Sequence, residues 1–160
     1  IMLSAAIADL VAEKLNHRPI YASLIVNQVK SPEAKLLSGL LVKNYMKTDL
    51  VCFSSNMTIR EAQERVKDYS FKTYPVRNDK NKLLGLITKS DMEDAIFQGV
   101  DTNAEINKLM NPSPITIEPS ENLYIAYFRL HSNNAQCLVV VDKNNKIKGL
   151  ITRQDINKAI

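Results

Sequence analysis

The sequence predicts an α+β fold made of two copies of one β-α-β-β-α unit, packed as a pseudo-twofold pair and preceded by a helical segment. Residues 45–96 realign on 109–160 at a constant offset of 64 without a gap. Within each copy, short β-branched and aliphatic runs alternate with segments of helical periodicity. A unit of about fifty residues is too small to bury both faces of its own sheet, so two copies are expected to pack together through their sheets.

The elements follow from local chemistry. In the first copy a short strand near 50–53 leads into a helix that opens at Thr58-Ile-Arg-Glu61, a capping-box spacing, with Ala62, Val66 and Tyr69 as its apolar stripe. Strands near 73–77 and 83–87 are joined by the polar turn Asn78-Asp-Lys-Asn-Lys82, and a second helix begins at Thr88. The second copy has a strand near 114–117, a helical stripe over 122–130, strands at 137–141 and 147–151 around the turn Asp142 to Lys146, and a helix from Thr152. Between the copies, Thr102-Asn-Ala-Glu105 has capping-box spacing and is expected to open a short helix running to Met110. The closing segments match best: Gly85-Leu-Ile-Thr-Lys-Ser-Asp91 lies on Gly149-Leu-Ile-Thr-Arg-Gln-Asp155.

Composition narrows the function. The 160 residues are 45% apolar and 24% charged, and the 21 Lys and Arg against 17 acids leave +4. That excess is spread as +2 over 1–44, +1 over 45–96 and +1 over 97–160, which is no stripe for a nucleic-acid backbone. Cys52 and Cys137 stand far apart and form no C-x-x-C, which argues against a zinc site or disulfide framework and suits a reducing compartment. No run approaches the roughly 18 apolar residues of a membrane helix. There is no phosphate-binding glycine loop and no metal-ligating His spacing; His17 and His131 are isolated, and His131 reads as a helix-end residue. Binding without turnover, not an enzyme, is the expectation.

The repeated Thr-x-x-Asp admits two readings that can hold together. Thr88 with Asp91, and Thr152 with Asp155, can cap their helices. Alternatively, each carboxylate accepts hydrogen bonds from the cis hydroxyls of a ribose while the threonine and free backbone N–H groups meet a phosphate.

At these residues the chain resembles a tandem pair of CBS domains, the cystathionine-β-synthase type of regulatory module. The resemblance rests on Tyr74-Pro75-Val76 in a strand-turn-strand, then Leu-Ile-Thr-x-x-Asp into a helix, seen twice, and it covers about 45–160. It implies an adenine nucleotide in a cleft between the repeats, ATP, ADP or AMP acting as a regulatory ligand with no cofactor required; S-adenosylmethionine fits the same elements. Carried over by position, one cleft pairs Thr152 and Asp155 with Phe71, Lys72, Thr73 and Pro75, with Phe71 stacking on the base. The other pairs Thr88 and Asp91 with Ala135, Gln136 and Cys137, which offer no aromatic platform. Base stacking on a ring contributes about 1–3 kcal/mol in nucleic-acid systems, so the Asp155 cleft ranks first. Lys72, Lys89 and Arg153 are candidates to neutralise phosphates.

Residues 1–29 read as a helical hairpin broken at Asn16-His-Arg-Pro19, and 30–44 as a linker to a first repeat at 45–98 and a second at 99–160. Arg18-Pro19-Ile20-Tyr21-Ala22-Ser23-Leu24-Ile25 resembles the end of the membrane domain in CLC chloride channels and chloride/proton antiporters. That resemblance implies that Tyr21 coordinates the anion in the intact parent, that this chain is a piece of a longer protein at the cytoplasmic face of the membrane, and that it works as a homodimer beside its own membrane domain. A ligand-free assembly domain of such a transporter is the competing expectation, and a CBS pair carried by a magnesium transporter or a metabolic enzyme is a third.

Overall fold

The computed structural model describes residues 31–67 and 69–160. The predicted hairpin over 1–29 and Tyr21 lie outside the described residues. Helix α1 spans Pro32–Ser38, its start marked by Ala34 N–H donating to Ser31 Oγ at 3.1 Å, and a 3-10 turn follows at Val42–Asn44.

The first repeat is β1 (Phe53–Ser54), α2 (Ile59–Val66), β2 (Thr73–Arg77), β3 (Leu83–Thr88) and α3 (Lys89–Phe97). The second is β4 (Thr116–Ile117), α4 (Leu123–Ser132), β5 (Cys137–Val141), β6 (Ile147–Thr152) and α5 (Arg153–Asn157). Each sheet has three strands in sequence order, the first pair parallel and the second antiparallel. The β-α-β-β-α unit is therefore present twice, as the offset of 64 requires.

Three sequence expectations are corrected by tertiary contacts. The leading strands are shorter than the apolar runs at 50–53 and 114–117, because the chain just upstream of each belongs to the other repeat: Lys47 exchanges two backbone hydrogen bonds with Leu150 of β6, and Asn111 does the same with Leu86 of β3. The Thr102–Glu105 capping box does not form, and a 3-10 turn at Ile106–Lys108 replaces the expected helix. Its groups are used elsewhere: Arg60 donates to Thr102 Oγ1, Asn107 donates to Glu105, and the N–H groups of Ile59 and Arg60 take the carbonyls of Ala104 and Thr102. Helix α2 ends at Val66, so Tyr69 leaves the apolar stripe and is 44% exposed.

The bridges obey a twofold relation. Lys47↔Leu150 maps onto Asn111↔Leu86 by the offset, Leu41↔Asn122 maps onto Thr58↔Glu105, and Lys82↔Lys146 maps onto itself. Each repeat's core is thus completed by the other repeat's leading segment. Ile106 is buried among Phe53, Ile59, Tyr74 and Met92, while Leu37 and Val42 are buried among Leu123, Leu130, Leu138 and Ile156. A third cluster of Leu83, Cys137, Val139, Val141, Ile147 and Leu150 joins the sheets. Every residue of β5 is buried, which explains why Leu138 to Val141 reads as a continuous apolar run without polar alternation.

The turns lock the pair at one end. Asn81 and Asn145 sit at φ 60° and 61°, the left-handed region that asparagine tolerates better than most side chains. Leu83 N–H donates to Asn145 O at 3.0 Å and Ile147 N–H to Asn81 O at 3.2 Å, so each turn pairs with the other repeat.

Close approach of the crossing segments dictates two glycines. A Cβ on Gly85 would lie 2.7 Å from Asn111 O and 2.6 Å from Met110 Sδ, and one on Gly149 would lie 2.7 Å from Lys47 O. Gly85→Ala and Gly149→Ala are each expected to destabilise the fold by about 1–3 kcal/mol through overpacking, lowering Tm by several degrees. Gly39→Ala, whose Cβ meets Leu36 O at an ordinary 3.5 Å, serves as the unperturbed control in the same thermal unfolding series.

Candidate functional site

The two Thr-x-x-Asp motifs stand at corresponding ends of β3 and β6. Thr88 N–H donates to Asp91 Oδ2 at 2.7 Å while Asp91 N–H donates to Thr88 Oγ1 at 3.0 Å. In the second repeat Thr152 N–H donates to Asp155 Oδ2 at 3.0 Å, and the Thr152 hydroxyl donates to the same oxygen at 2.6 Å. Both motifs are complete capping boxes, and each leaves one carboxylate oxygen outside the box.

The strand registers bring the motifs to a common junction. Thr73 is opposite Thr88 in the first sheet, and Cys137 is opposite Thr152 in the second. Thr73 and Cys137, equivalent positions in the two repeats, come together across the pseudo-twofold relation, the Thr73 hydroxyl lying beside the Cys137 thiol. Thr88, Thr73, Cys137 and Thr152 thus form one row. Burial pushes the Cys137 thiol up, against the smaller opposing effect of Thr73, so the row presents a neutral centre flanked by two carboxylates.

The carboxylates are not equivalent. Asp91 is exposed, whereas Asp155 is 5% exposed and is the one buried charged side chain among the described residues. Lys47 Nζ stands 3.6 Å from Asp155 Oδ1. The residue at the matching position is Asn111, so no cation serves Asp91 in that way. At 3.6 Å the lysine is an ion-pair partner beyond good hydrogen-bond distance, which leaves Oδ1 lone pairs to offer.

The other predicted residues divide by environment. Phe71 is half-buried against the first repeat's core, its carbonyl accepts from Tyr74 at 2.7 Å, and its ring lies 6.0 Å from Tyr69. Pro75 is buried within β2, while Lys72 is exposed with its carbonyl held by Lys89 N–H. The Lys89 side chain pairs with Glu93 at 3.9 Å. Arg153 turns toward the end of α4, donating to Leu130 O at 3.2 Å and Asn134 Oδ1 at 3.4 Å, with its Nε buried and unpartnered. His131 lies in the last turn of α4 against the Tyr127 ring at 4.2 Å.

Local motifs do not reveal the positions of Lys47 and Tyr69. Lys47 lies outside every local motif, and the available signal was the mismatch of Lys47 with Asn111 in the repeat alignment. Tyr69 was assigned to a helix that stops short of it.

Among the described residues no group of His, Cys, Asp and Glu is arranged to hold a metal ion, and no helix is long and apolar enough to cross a membrane. The arrangement is suited to holding a polar ligand: two helix starts, each with a carboxylate oxygen outside its capping box, and a row rich in hydroxyls.

Known proteins resemble this chain in sequence and fold. An uncharacterised protein of Methanocaldococcus jannaschii is 37% identical over 105 residues, covering 66% of this chain and 34% of that protein. The L-aspartate semialdehyde sulfurtransferase of Methanosarcina acetivorans is 26% identical over 159 residues, covering 96% of this chain and 31% of the enzyme. The chain thus spans about a third of the length of these curated relatives. Among solved structures, CBSX2 in complex with AMP superposes at a TM-score of 0.68 with 25% identity, covering 76% of this chain and 96% of that one. The CBS domain pair of protein MJ0100, in complex with 5′-methylthioadenosine and S-adenosyl-L-methionine, gives 0.66 with 26% identity, covering 74% of this chain and 93% of that one. The CBS domain profile matches residues 42–98 and 105–160, and with two such repeats joined through their sheets the chain belongs to the CBS domain family.

Proposed function

We propose that this chain is a regulatory module that binds an adenine nucleotide between its two repeats and does no chemistry on it. The observation that carries the reading is the pair of capping-box carboxylates, each with an oxygen left over, on either side of the Thr73–Cys137 junction. Relatives solved with AMP, and with S-adenosylmethionine and methylthioadenosine, support the ligand class.

The preferred cleft is that of Asp155. Its Oδ1 accepts the ribose hydroxyls, Thr152 stays with the cap, Thr73 and Pro75 form the wall, and Phe71 with its neighbour Tyr69 supplies the base platform. Lys72 and Lys47 carry charge to the phosphate side, while Arg153, the first residue of α5, is held toward the end of α4 by Leu130 O and Asn134 Oδ1. Thr88 and Asp91 form the opposite cleft, more open to water and without an aromatic ring from Ala135, Gln136 or Cys137.

A ligand shifts an equilibrium only by its differential affinity for two arrangements. Lys47 provides such a difference: a diol on Asp155 Oδ1 competes with the Lys47 ammonium, and the Lys47 backbone is the bridge to Leu150 on the segment that leads back to residues 1–30. Occupancy is therefore felt where the upstream chain enters. The upstream partner we propose is the membrane domain of a CLC chloride channel or antiporter, on the strength of Arg18 to Ile25 and their place directly before a CBS pair. In that parent Tyr21 faces the anion, the module lies at the cytoplasmic face of the membrane, and the assembly is a homodimer.

A second reading is favoured by one observation: both Thr-x-x-Asp boxes are satisfied by the chain itself. In that case the pair is a ligand-free assembly domain.

Thermal unfolding with AMP, ADP, ATP, S-adenosylmethionine and a GTP control separates the two. Ligand at 100 times its Kd stabilises by about 2.7 kcal/mol, a rise in Tm of several degrees at this size. Under the first reading adenine ligands raise Tm, Asp155→Asn removes the response while keeping a side-chain oxygen to accept from Thr152 N–H in the capping box, and Asp91→Asn retains it. Under the second no nucleotide moves Tm, and the aspartate variants change stability alone.

A further inference from the structure

A separate groove of about 340 Å³ lies between the segment 48–52, the end of α2, the end of β2 and the start of β6. Its polar rim carries Arg65, Arg77, Lys148, Tyr69 and Asn81, with Asp49 as the carboxylate. None of the residues assigned above to the nucleotide cleft lines it apart from Tyr69.

The pseudo-twofold relation supplies an internal control for this charge. The position matching Arg65 is Arg129, which is spent inside its own repeat: Arg129 donates to Glu121 at 2.7 and 3.0 Å and to Thr116 O at 2.9 Å. In the first repeat the place of Glu121 is taken by Met57, and Arg65 has no hydrogen bond or ion pair among the described residues. Arg77 matches Val141, and Lys148 matches Leu84. Three cations therefore gather on one side of the pair, where the equivalent side has one neutralised arginine and two aliphatic residues. Arg65 and Arg77 have no carboxylate partner among the described residues, and Lys148 is the one already ion-paired. Arg77 Nη1 donates to the neutral Asn81 Oδ1 at 2.9 Å, and Lys148 shares Asp142 at 3.3 Å with the backbone N–H groups of Asn144 and Lys146.

We propose that this groove is a second binding site, for a small polyanion bearing two or more phosphate groups. Arginine forks bind phosphate oxygens in bidentate fashion, and the volume lies at the lower end of ligand-sized sites, about 300–1,000 Å³. Three separated cationic heads match a phosphate chain better than a single anion. Tyr69 and Asn81 add neutral donors, and Asp49 disfavours ligands that fill the whole groove with negative charge.

The test is isothermal titration of the 160-residue chain with sodium pyrophosphate and tripolyphosphate at low salt, repeated at high salt, with adenosine and ATP in parallel. Pyrophosphate is expected to bind, and Arg65→Gln combined with Arg77→Gln to weaken it by about tenfold or more. Lys80→Gln combined with Lys143→Gln, the same charge change elsewhere on the surface, should leave it within about twofold, and salt should weaken it because the groove is open to solvent. Unfolding curves without ligand confirm that the variants are folded. Equal weakening by both double variants would reduce the effect to diffuse surface charge and overturn the site. So would a silent pyrophosphate titration, including one in which ATP alone responds to Arg65→Gln and Arg77→Gln, since the cations would then serve a nucleotide seated in the other cleft. Adenosine binding that survives in the arginine variants, or its absence in every protein, reports on the nucleotide cleft and leaves this outcome separate.

Discussion

The crossing of each repeat's leading segment onto the other repeat's sheet is the constraint on which the rest of the structure depends. Met46–Lys47 passes over Gly149, and Met110–Asn111 passes over Gly85, at distances that admit no Cβ. Backbone hydrogen bonds at Lys47–Leu150 and Asn111–Leu86 fix the crossings, and Val42 and Ile106 then fill cores that their own repeats do not contain. Neither fifty-residue unit closes a core alone, which is the expected limitation at that size. Reciprocal exchange of a short segment solves it twice.

That exchange also builds the site. Because the sheets are held face to face, Thr73 and Cys137 meet, and the two helix starts at Thr88 and Thr152 come to the ends of one row. Symmetry of the backbone is not symmetry of charge. Lys47 rides on the crossing segment to Asp155, while Asn111 rides on the equivalent segment without bringing a cation to Asp91. Arg129 is tied to Glu121, whereas Arg65 is left facing a groove. A near-twofold scaffold thus offers two clefts and two flanks that differ in electrostatics.

Much of this was legible in the sequence where the determinants are local or repeated. The offset of 64 identified the unit and the order of its elements along the chain, and Thr58, Thr88 and Thr152 cap the helices at which their spacing placed them. What failed was contact between distant segments. Thr102 and Glu105 have the right spacing for a capping box, yet Arg60 and Asn107 hold their side chains and α2 takes the local carbonyls, so tertiary bonding overrode a local preference. The run before β1 looked like strand because it is apolar; its apolarity instead serves the seam, where Leu50 and Cys52 pack beside Leu86. Lys47 carries no motif of its own, and its closeness to Asp155 depends on a bridge between residues more than a hundred positions apart.

The central claim is that an adenosine moiety sits between the repeats with its ribose on a Thr-x-x-Asp carboxylate. The most direct measurement is a crystal structure of the chain grown with AMP. Ribose hydroxyls are expected on Asp155 Oδ1, with Lys47 displaced from its 3.6 Å position and the base against Phe71. A cleft that stays closed at saturating AMP, with Lys47 still on Asp155 and no nucleotide at either aspartate, would contradict it.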